Sequence, residues 1–270
     1  MARAYESPSS INTYNQCPRK YYYLYIAKYP TLPSIHLIRG NVAHSALEHF
    51  YNISDADLEK LSITDYEVVL RTEIKKQLKD FWFRSMNKFK KLDISNDQHL
   101  FYFRETQEMM QTWMGIFLEK LRIKIDEIGS IKRAFKSLIP TREKKFFSQT
   151  FKVMGFIDVI EEIDSKIRLM DYKTSKRPHI NEAYKLQLAI YSLLYYEQYG
   201  RLPDEVGIYF LKHNEQSFLA DEQLMEFAKR ECLLMQKKTK TEKIDDYPKQ
   251  KSPLCKYSTG QCDFYDICMK

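Results

Sequence analysis

The chain has 270 residues, of which 44% are hydrophobic and 29% charged, with a net charge of +7. This length allows one large domain or two small ones, and the low counts of 7 Gly and 9 Pro exclude a disordered or repetitive chain. The first ten residues lack the apolar stretch of a signal peptide, and no apolar run approaches the length of a membrane span. We therefore expect a soluble, cytoplasmic protein. Its basic, tyrosine-rich composition suits nucleic acid, but also fits a soluble basic protein without such a ligand.

The amino-terminal half is predicted to be helical. A first helix, capped by Ser9 or Ser10, runs to Ile26 and contains Pro18, which is expected to kink or split it. Further helices are predicted at residues 38–51, 55–61, 64–90 and 99–129. The stretch 52–130 carries no recognisable chemistry and is interpreted as a helical insertion. Its last helix has core-type side chains at helical spacing: Phe103, Met110, Trp113, Phe117 and Leu121.

The second half mixes strands and helices. The predicted elements are a strand at 142–151, a hairpin at 156–172, a helix at 181–199 ended by Gly200, a strand at 205–211 and a helix from Asp221 to about Lys238. This order predicts a mixed α/β core with a helical elaboration.

The hairpin is predicted to bring charged side chains together. With a turn centred on Asp164 and Ser165, Asp158 lies opposite Asp171, and Lys173 shares their face because residues two apart point the same way. Two close carboxylates repel each other unless a cation lies between them, and Mg²⁺ or Mn²⁺ suits oxygen ligands. Such an ion would polarise a phosphodiester, with the lysine orienting water or stabilising charge. The alternative is a surface ion pair at a strand end.

Three further polar residues lie on predicted helices. His44 follows Gly40 by four residues without forming a His-Glu-x-x-His zinc motif, and a lone helical histidine is more often a packed or surface side chain. Gln187 and Tyr191 are four residues apart and share a helix face. They could orient a carboxylate, bind a phosphate or stack a base, or simply form a solvated stripe.

Five cysteines are present, three of them near the carboxyl terminus. Cys255, Cys262 and Cys268 together with Cys17 could supply four thiolates to zinc or to a 4Fe–4S cluster. The spacing lacks the C-x₂-C pair of zinc ribbons, which favours iron–sulfur. Cys232 lies in an amphipathic helix and is interpreted as a small core residue.

Six motifs occur in one order along the chain: Cys17-Pro-Arg-Lys-Tyr-Tyr, Gly40-x-x-x-His44, Gly155-x-x-Asp158, Asp171-Tyr-Lys173-Thr, Gln187-x-x-x-Tyr191 and the three terminal cysteines. In this the chain resembles the RecB-type branch of the PD-(D/E)xK nucleases. It is most similar to the iron–sulfur members, namely CRISPR-associated RecB-like exonucleases and the nuclease domain of AddB. The resemblance implies a restriction-endonuclease-like fold, a mixed sheet flanked by helices. The resemblance further implies that residues 1–270 form one nuclease domain, with the helical insertion at 52–130. An iron–sulfur region of residue 17 plus 252–270 would join the two ends.

The resemblance also implies roles for individual residues. Lys173 would be the catalytic lysine, and Gln187 and Tyr191 would support the site or contact DNA. Glu143 loosely matches an acidic residue often found on the preceding strand. The implied ligands of Mg²⁺ or Mn²⁺ are His44, Asp158, Asp171 and the carbonyl of Tyr172. The implied ligands of the 4Fe–4S cluster are Cys17, Cys255, Cys262 and Cys268.

One departure from the family pattern concerns the cluster. Two residues usually separate the first two carboxyl-terminal cysteines in the family, whereas six residues separate Cys255 from Cys262 here. Cys232 is therefore the reserve candidate for the fourth ligand.

The implied function is a metal-dependent DNA nuclease, an exonuclease on single-stranded DNA or DNA ends, in repair, recombination or CRISPR adaptation. The partner proteins that the resemblance implies are a helicase or a CRISPR integrase. Because the sequence contains no Gly-x₄-Gly-Lys-Ser/Thr motif, any ATP-driven unwinding is expected to come from a partner. Two alternatives stay open: a nucleic-acid-binding or complex-assembly module with a vestigial nuclease site, and a zinc-stabilised protein without catalysis.

Overall fold

A computed structural model describes residues 3–257 and 260–270. Its main sheet has five strands in the order β1-β2-β3-β4-β5. Strands β3 and β4 are parallel, and the other neighbours are antiparallel. The strands are β1 Thr141–Ser148, β2 Val153–Ile163, β3 Lys166–Lys173, β4 Glu205–Phe210 and β5 Glu215–Leu219. A mixed sheet is therefore confirmed, and β5 is an addition to the predicted strands.

Helices precede, interrupt and follow the sheet in the chain. They are α1 Pro8–Gln16, α2 Pro18–Tyr21, a π-helical turn Tyr22–Ile26, α3 Ile35–Phe50, α4 Asp55–Glu59, α5 Tyr66–Arg84, α6 Met86–Phe89, α7 Asn96–Ile128, α8 Ile131–Ser137, α9 Glu182–Tyr199, α10 Glu222–Lys238, a 3₁₀ turn Ile244–Asp246 and α11 Tyr265–Met269. Two short strands, β6 Lys256–Tyr257 and β7 Gly260–Gln261, pair near the carboxyl terminus. Among the described residues, none of the helices combines the length and the apolar character needed to cross a bilayer.

The first helix begins earlier than predicted. Its cap is Ser7, whose hydroxyl accepts a hydrogen bond from the Ser10 amide at 3.1 Å while the Ser10 hydroxyl accepts one from the Ser7 amide. The predicted cap at Ser9 or Ser10 was wrong because Pro8 fits the first helical position, which needs no amide hydrogen. The predicted interruption at Pro18 is confirmed: Cys17 is extended, with φ −164°, between α1 and α2.

The predicted hairpin register is confirmed. Five residue pairs, from Val159–Met170 to Ile163–Lys166, have numbers that sum to 329. The two turn residues have positive φ, +50° at Asp164 and +65° at Ser165. This conformation matches the right-handed twist of the strands that it joins.

The sheet lies between two hydrophobic cores. On one side α3 and the helices from α4 to α8 pack on Val159, Met170 and Tyr172. On the other side α1, α9 and α10 pack on residues such as Ile157 and Leu169. The helical stretch at 52–130 therefore covers one face of the sheet together with α3.

Candidate active site

The candidate site forms where α3 and α9 meet three neighbouring strands of the sheet. Strand β2 carries Asp158, β3 carries Asp171 and Lys173, and β1 carries Glu143. Helix α3 brings His44 to the same place. The structure therefore brings together residues far apart in the chain that the sequence motifs singled out.

Three of these side chains form a group able to hold a metal. The ligand atoms of His44, Glu143 and Asp158 all lie within 4.8 Å of one another. His44 Nδ1 is 3.3 Å from Asp158 Oδ2. The group faces a cavity of about 400 Å³, which Glu48 and Phe156 also line. Phosphate-bearing ligands can thus reach the group from solvent.

Glu143 reaches this group through an unusual backbone conformation. The residue pairs Arg142–Val159 and Lys144–Ile157 bracket Glu143 and Asp158, so that the two acids face each other across the β1–β2 ladder. Glu143 has φ +47°, in the left-handed region. A non-glycine residue there costs on the order of 1–3 kcal/mol, and such strain clusters at functional sites.

Asp171 has different partners from Asp158. The Gln187 amide donates a hydrogen bond to Asp171 Oδ1 at 2.6 Å, and Lys173 Nζ lies 2.6 Å from Oδ2. Gln187 also donates to the Tyr191 hydroxyl at 2.7 Å. Gly155 lets α9 approach β2, because a side-chain carbon there would lie 3.3 Å from Tyr191 and from Leu194. Gln187 thus contacts both Asp171 and Tyr191, as a supporting role in the site would require. The role of Asp171 as a metal ligand stays a prediction.

The backbone of Tyr172 fixes two members of the metal-binding group. Its amide donates to Asp158 Oδ2 at 2.9 Å, and its carbonyl oxygen lies 2.9 Å from His44 Nε2. The side chain of Tyr172 points to the helical core on the other side of the sheet. The carbonyl predicted as a metal ligand therefore contacts the histidine in this structure.

The electrostatics of the site favour a bound cation. Burial, and then the charge of Asp171, raises the pKa of Asp158 well above its usual range. Burial and the charge of Asp158 raise the pKa of Glu143 to about 7. Burial lowers the pKa of His44, whereas for Lys173 the lowering by burial is outweighed by the charge of Asp171 and the pKa is raised. Carboxylates held this close need a positive charge beyond that of one lysine. A donor set of one imidazole and two carboxylates fits Mn²⁺ well and Mg²⁺ acceptably.

The four predicted cluster ligands lie in one region of the structure. Cys17, Cys255, Cys262 and Cys268 line one cavity between α2 and the carboxyl-terminal segment. Cys232 instead lies in the core on the α9 side of the sheet, where burial raises the pKa of its thiol to about 12. Four thiols around one cavity fit an iron–sulfur cluster or zinc. The cluster itself stays a prediction.

Comparison with known proteins identifies the family. Residues 6–269 match the PD-(D/E)XK nuclease superfamily. The chain belongs to this superfamily. Over 126 residues, 45% of this chain, it is 29% identical to the CRISPR-associated exonuclease Cas4 of Francisella tularensis subsp. novicida, and the match spans 58% of that protein. The crystal structure of a proposed exonuclease from Eubacterium rectale shares the fold, with a TM-score of 0.51 at 11% identity over 93% of this chain and 85% of the other.

The superfamily membership confirms the resemblance drawn from the six motifs. Sequence reasoning gave Glu143 only a loose match, and it missed Phe156, which is half-exposed at the mouth of the cavity. It also missed Arg39, which is buried in α3 and paired with Glu105 of α7. In the sequence, the Arg39–Glu105 pair is indicated only by the position of Arg39 on the otherwise apolar face of α3.

Proposed function

We propose that this nuclease is a divalent-metal-dependent deoxyribonuclease that acts as an exonuclease on single-stranded DNA or DNA ends. The observation that carries the proposal is the placement of the His44, Glu143 and Asp158 group beside the Asp171–Lys173 pair. One cluster offers nitrogen and oxygen ligands, and the other offers a fixed ammonium group. Phosphodiester hydrolysis is accelerated by a Lewis acid and by a donor that stabilises the developing negative charge.

A divalent ion held by the three ligands would supply Lewis acidity to the scissile phosphate. The remaining tasks belong to side chains. Lys173 holds its ammonium next to the group, where it can donate to a phosphate oxygen or orient the attacking water. Asp171 holds that ammonium in place, and Gln187 fixes Asp171. Because the lysine is held before substrate arrives, little reorganisation is needed during the reaction.

The choice of DNA and of an exonuclease mode has two supports. The matched relative is named a CRISPR-associated exonuclease, which also supports a role in CRISPR adaptation, with repair or recombination as the other setting. The chain carries a net charge of +7, which suits a polyanion. A CRISPR integrase or a helicase is the partner protein that such a role requires.

The test measures cleavage of end-labelled single-stranded DNA with Mn²⁺ or Mg²⁺. We expect Asp158→Ala to abolish cleavage and Lys173→Met to slow it by about 10²–10³-fold. Lys166→Met is the matched control, since this lysine is exposed on the same strand as Lys173. A Lys173→Met protein as fast as wild type would defeat the proposal. A circular DNA strand should resist cleavage if the enzyme requires an end.

The alternative is a nucleic-acid-binding or complex-assembly module whose nuclease site is vestigial. The complete set of acidic residues and lysine argues against it. Tight DNA binding without turnover, under any of Mg²⁺, Mn²⁺, Co²⁺ and Ca²⁺, would favour it.

We further infer that the four cysteines hold a 4Fe–4S cluster with a structural role. All four line one cavity, with Cys17 near one end of the sequence and the other three near the other end, whereas Cys232 is enclosed by apolar side chains. A brown protein with stoichiometric iron and sulfide is the expected result. A colourless protein that contains zinc would overturn the inference and leave the nuclease site unaffected.

A further inference from the structure

A second large cavity lies in the helical layer, between the end of α5 and the start of α7. It is an open cleft of about 650 Å³. Its walls include Lys79, Phe83, Arg84 and Leu100, and its floor includes Trp82. None of these residues belongs to the candidate active site.

The cleft presents an unusual amount of apolar surface. Phe83 is 79% exposed and Leu100 is 44% exposed. Beneath them the buried Trp82 donates its indole N–H to His99 Nε2 at 3.1 Å and stacks on Phe89 with ring centroids 4.6 Å apart. The exposed ring of Phe83, next to the buried Trp82, is available for an aromatic ring of a ligand to stack on.

The same segment has a strong excess of positive over negative charge. Residues 75–104 contain eight Lys or Arg and three Asp, a net charge of +5 out of +7 for the whole protein. Lys79 and Arg84 are exposed, and within the described part of the chain no carboxylate lies within the 4 Å of an ion pair with either. Asp80 is the one acidic residue of the wall. The cleft therefore offers unpaired cations next to an aromatic ring.

Contacts connect this cleft to the candidate active site. Glu48 lines the cavity of the metal-binding group, and the ring of the next residue, His49, packs on Phe81 with centroids 4.7 Å apart. The Arg84 guanidinium lies over the same Phe81, 5.1 Å from its centroid. A flexible chain bound in the cleft could thus continue along α3 to the metal-binding group.

We propose that this cleft binds single-stranded DNA and guides it to the metal-binding group. Phosphates would meet Lys79 and Arg84, and an unpaired base would stack on Phe83, the combination used for single strands without sequence preference. A polyanion is favoured over a protein partner because residues 75–104 carry a net charge of +5. A closed duplex keeps its bases stacked and cannot use Phe83. The path to the metal-binding group rests on the proposed nuclease function, whereas binding to the cleft does not.

The test measures binding in EDTA, where cleavage cannot occur, by the fluorescence anisotropy of labelled oligo-dT and of a duplex. We expect Phe83→Ala to lower the affinity for oligo-dT roughly tenfold and to leave duplex affinity within about twofold. The double variant Lys79→Gln, Arg84→Gln should weaken the binding of oligo-dT and of the duplex. For oligo-dT, the slope of log K against log salt concentration should become less steep by about 1.4, because two phosphate contacts are lost. Matched controls are Phe147→Ala, an exposed phenylalanine of β1, and the Lys237→Gln, Lys240→Gln pair near the end of α10.

Each outcome decides between the proposals. Unchanged oligo-dT binding by both cleft variants, in a protein that still cleaves DNA, overturns the cleft and keeps the nuclease. Equal losses in cleft variants and controls also overturn the cleft. If binding depends on the cleft residues but the protein does not cleave DNA with any metal tested, the cleft proposal is supported and the proposed nuclease function is overturned. All six substituted cleft and control positions are exposed, so thermal melting should be unchanged in every variant.

Discussion

Asp158 and Asp171 are chemically alike, yet their surroundings give them different tasks. Asp171 is clasped by Gln187 and Lys173, so its charge serves to hold the ammonium group. Asp158 has Oδ2 bonded to the Tyr172 amide and near His44, and it faces Glu143. Asp171, the acid next to Lys173, is therefore not part of the metal-binding group. Asp158 is part of that group, and Glu143 supplies its second carboxylate.

Replacing Glu143 tests this division of roles. We expect Glu143→Gln to weaken Mn²⁺ binding by at least about tenfold, because one of three ligand groups loses its charge. Free Mn²⁺ measured by electron paramagnetic resonance gives the affinity. Glu162→Gln, at an exposed position of β2, is the control. If Glu143→Gln binds Mn²⁺ as well as wild type while Asp171→Asn does not, Asp171 is the ligand instead.

Gln187 is a positioning residue, and its effect should appear in turnover. In Gln187→Leu the buried oxygen of Asp171 loses its partner, so we expect kcat to fall by roughly 10–100-fold with KM for DNA nearly constant. Tyr191→Phe removes one hydrogen bond, worth about 0.5–1.5 kcal/mol, and should cost only a few-fold. Mn²⁺ affinity should be unchanged in both. A large rise in KM with kcat intact would show that Gln187 contacts DNA rather than Asp171.

Among the elements, the hairpin shows what local sequence can determine. A polar two-residue turn between β-branched runs sets the register, and the register sets which side chains share a face. The contact of Glu143 with Asp158 could not be predicted in this way, because the position of Glu143 depends on a local break in the β1–β2 ladder that no residue pattern encodes. Strand β5 was not predicted because Glu215–Leu219 is short, polar and only half-buried.

The placement of α3 depends on contacts that are remote in the chain. Arg39 pairs with Glu105 of α7, and Lys212 after β4 pairs with the same glutamate. This cluster anchors the helix that carries His44 against the sheet. A sequence shows that such a helix exists and is amphipathic, but the partners of a buried charge more than 60 residues away depend on the folded structure.

The turn also offers a stability prediction. Ser165 has φ +65°, which glycine adopts without strain. We expect Ser165→Gly to raise the free energy of unfolding by about 0.5–1 kcal/mol, measured by urea denaturation. Ser85→Gly is the control, because Ser85 has φ −89° and should gain nothing. A destabilised Ser165→Gly protein would contradict the turn geometry. Cleavage activity should be unchanged.

For the molecule as a whole, the two ends of the chain are joined beside the sheet. The Arg19 guanidinium donates to the Tyr247 carbonyl at 2.7 Å, and the rings of Tyr21 and Tyr247 are stacked with centroids 5.9 Å apart. The four-cysteine cavity continues this junction toward the carboxyl terminus. A cluster there would close a loop of nearly the whole chain, worth on the order of several kcal/mol through the entropy of the unfolded state.

Substitution of single cysteines separates this junction from the catalytic site. We expect Cys17→Ala to be colourless and prone to aggregation, with a lower Tm, because the ends are then joined without the cluster. Cys232→Ala should stay brown and lose about 1–2 kcal/mol of stability, since it removes only a buried thiol from the core. Iron content, visible absorbance and calorimetry measure these outcomes. Mn²⁺ affinity of whatever Cys17→Ala protein stays folded should match wild type, since the cysteines and the metal-binding group line different cavities. A brown, fully stable Cys17→Ala protein would show that the fourth ligand lies elsewhere and that the two ends are held together without Cys17.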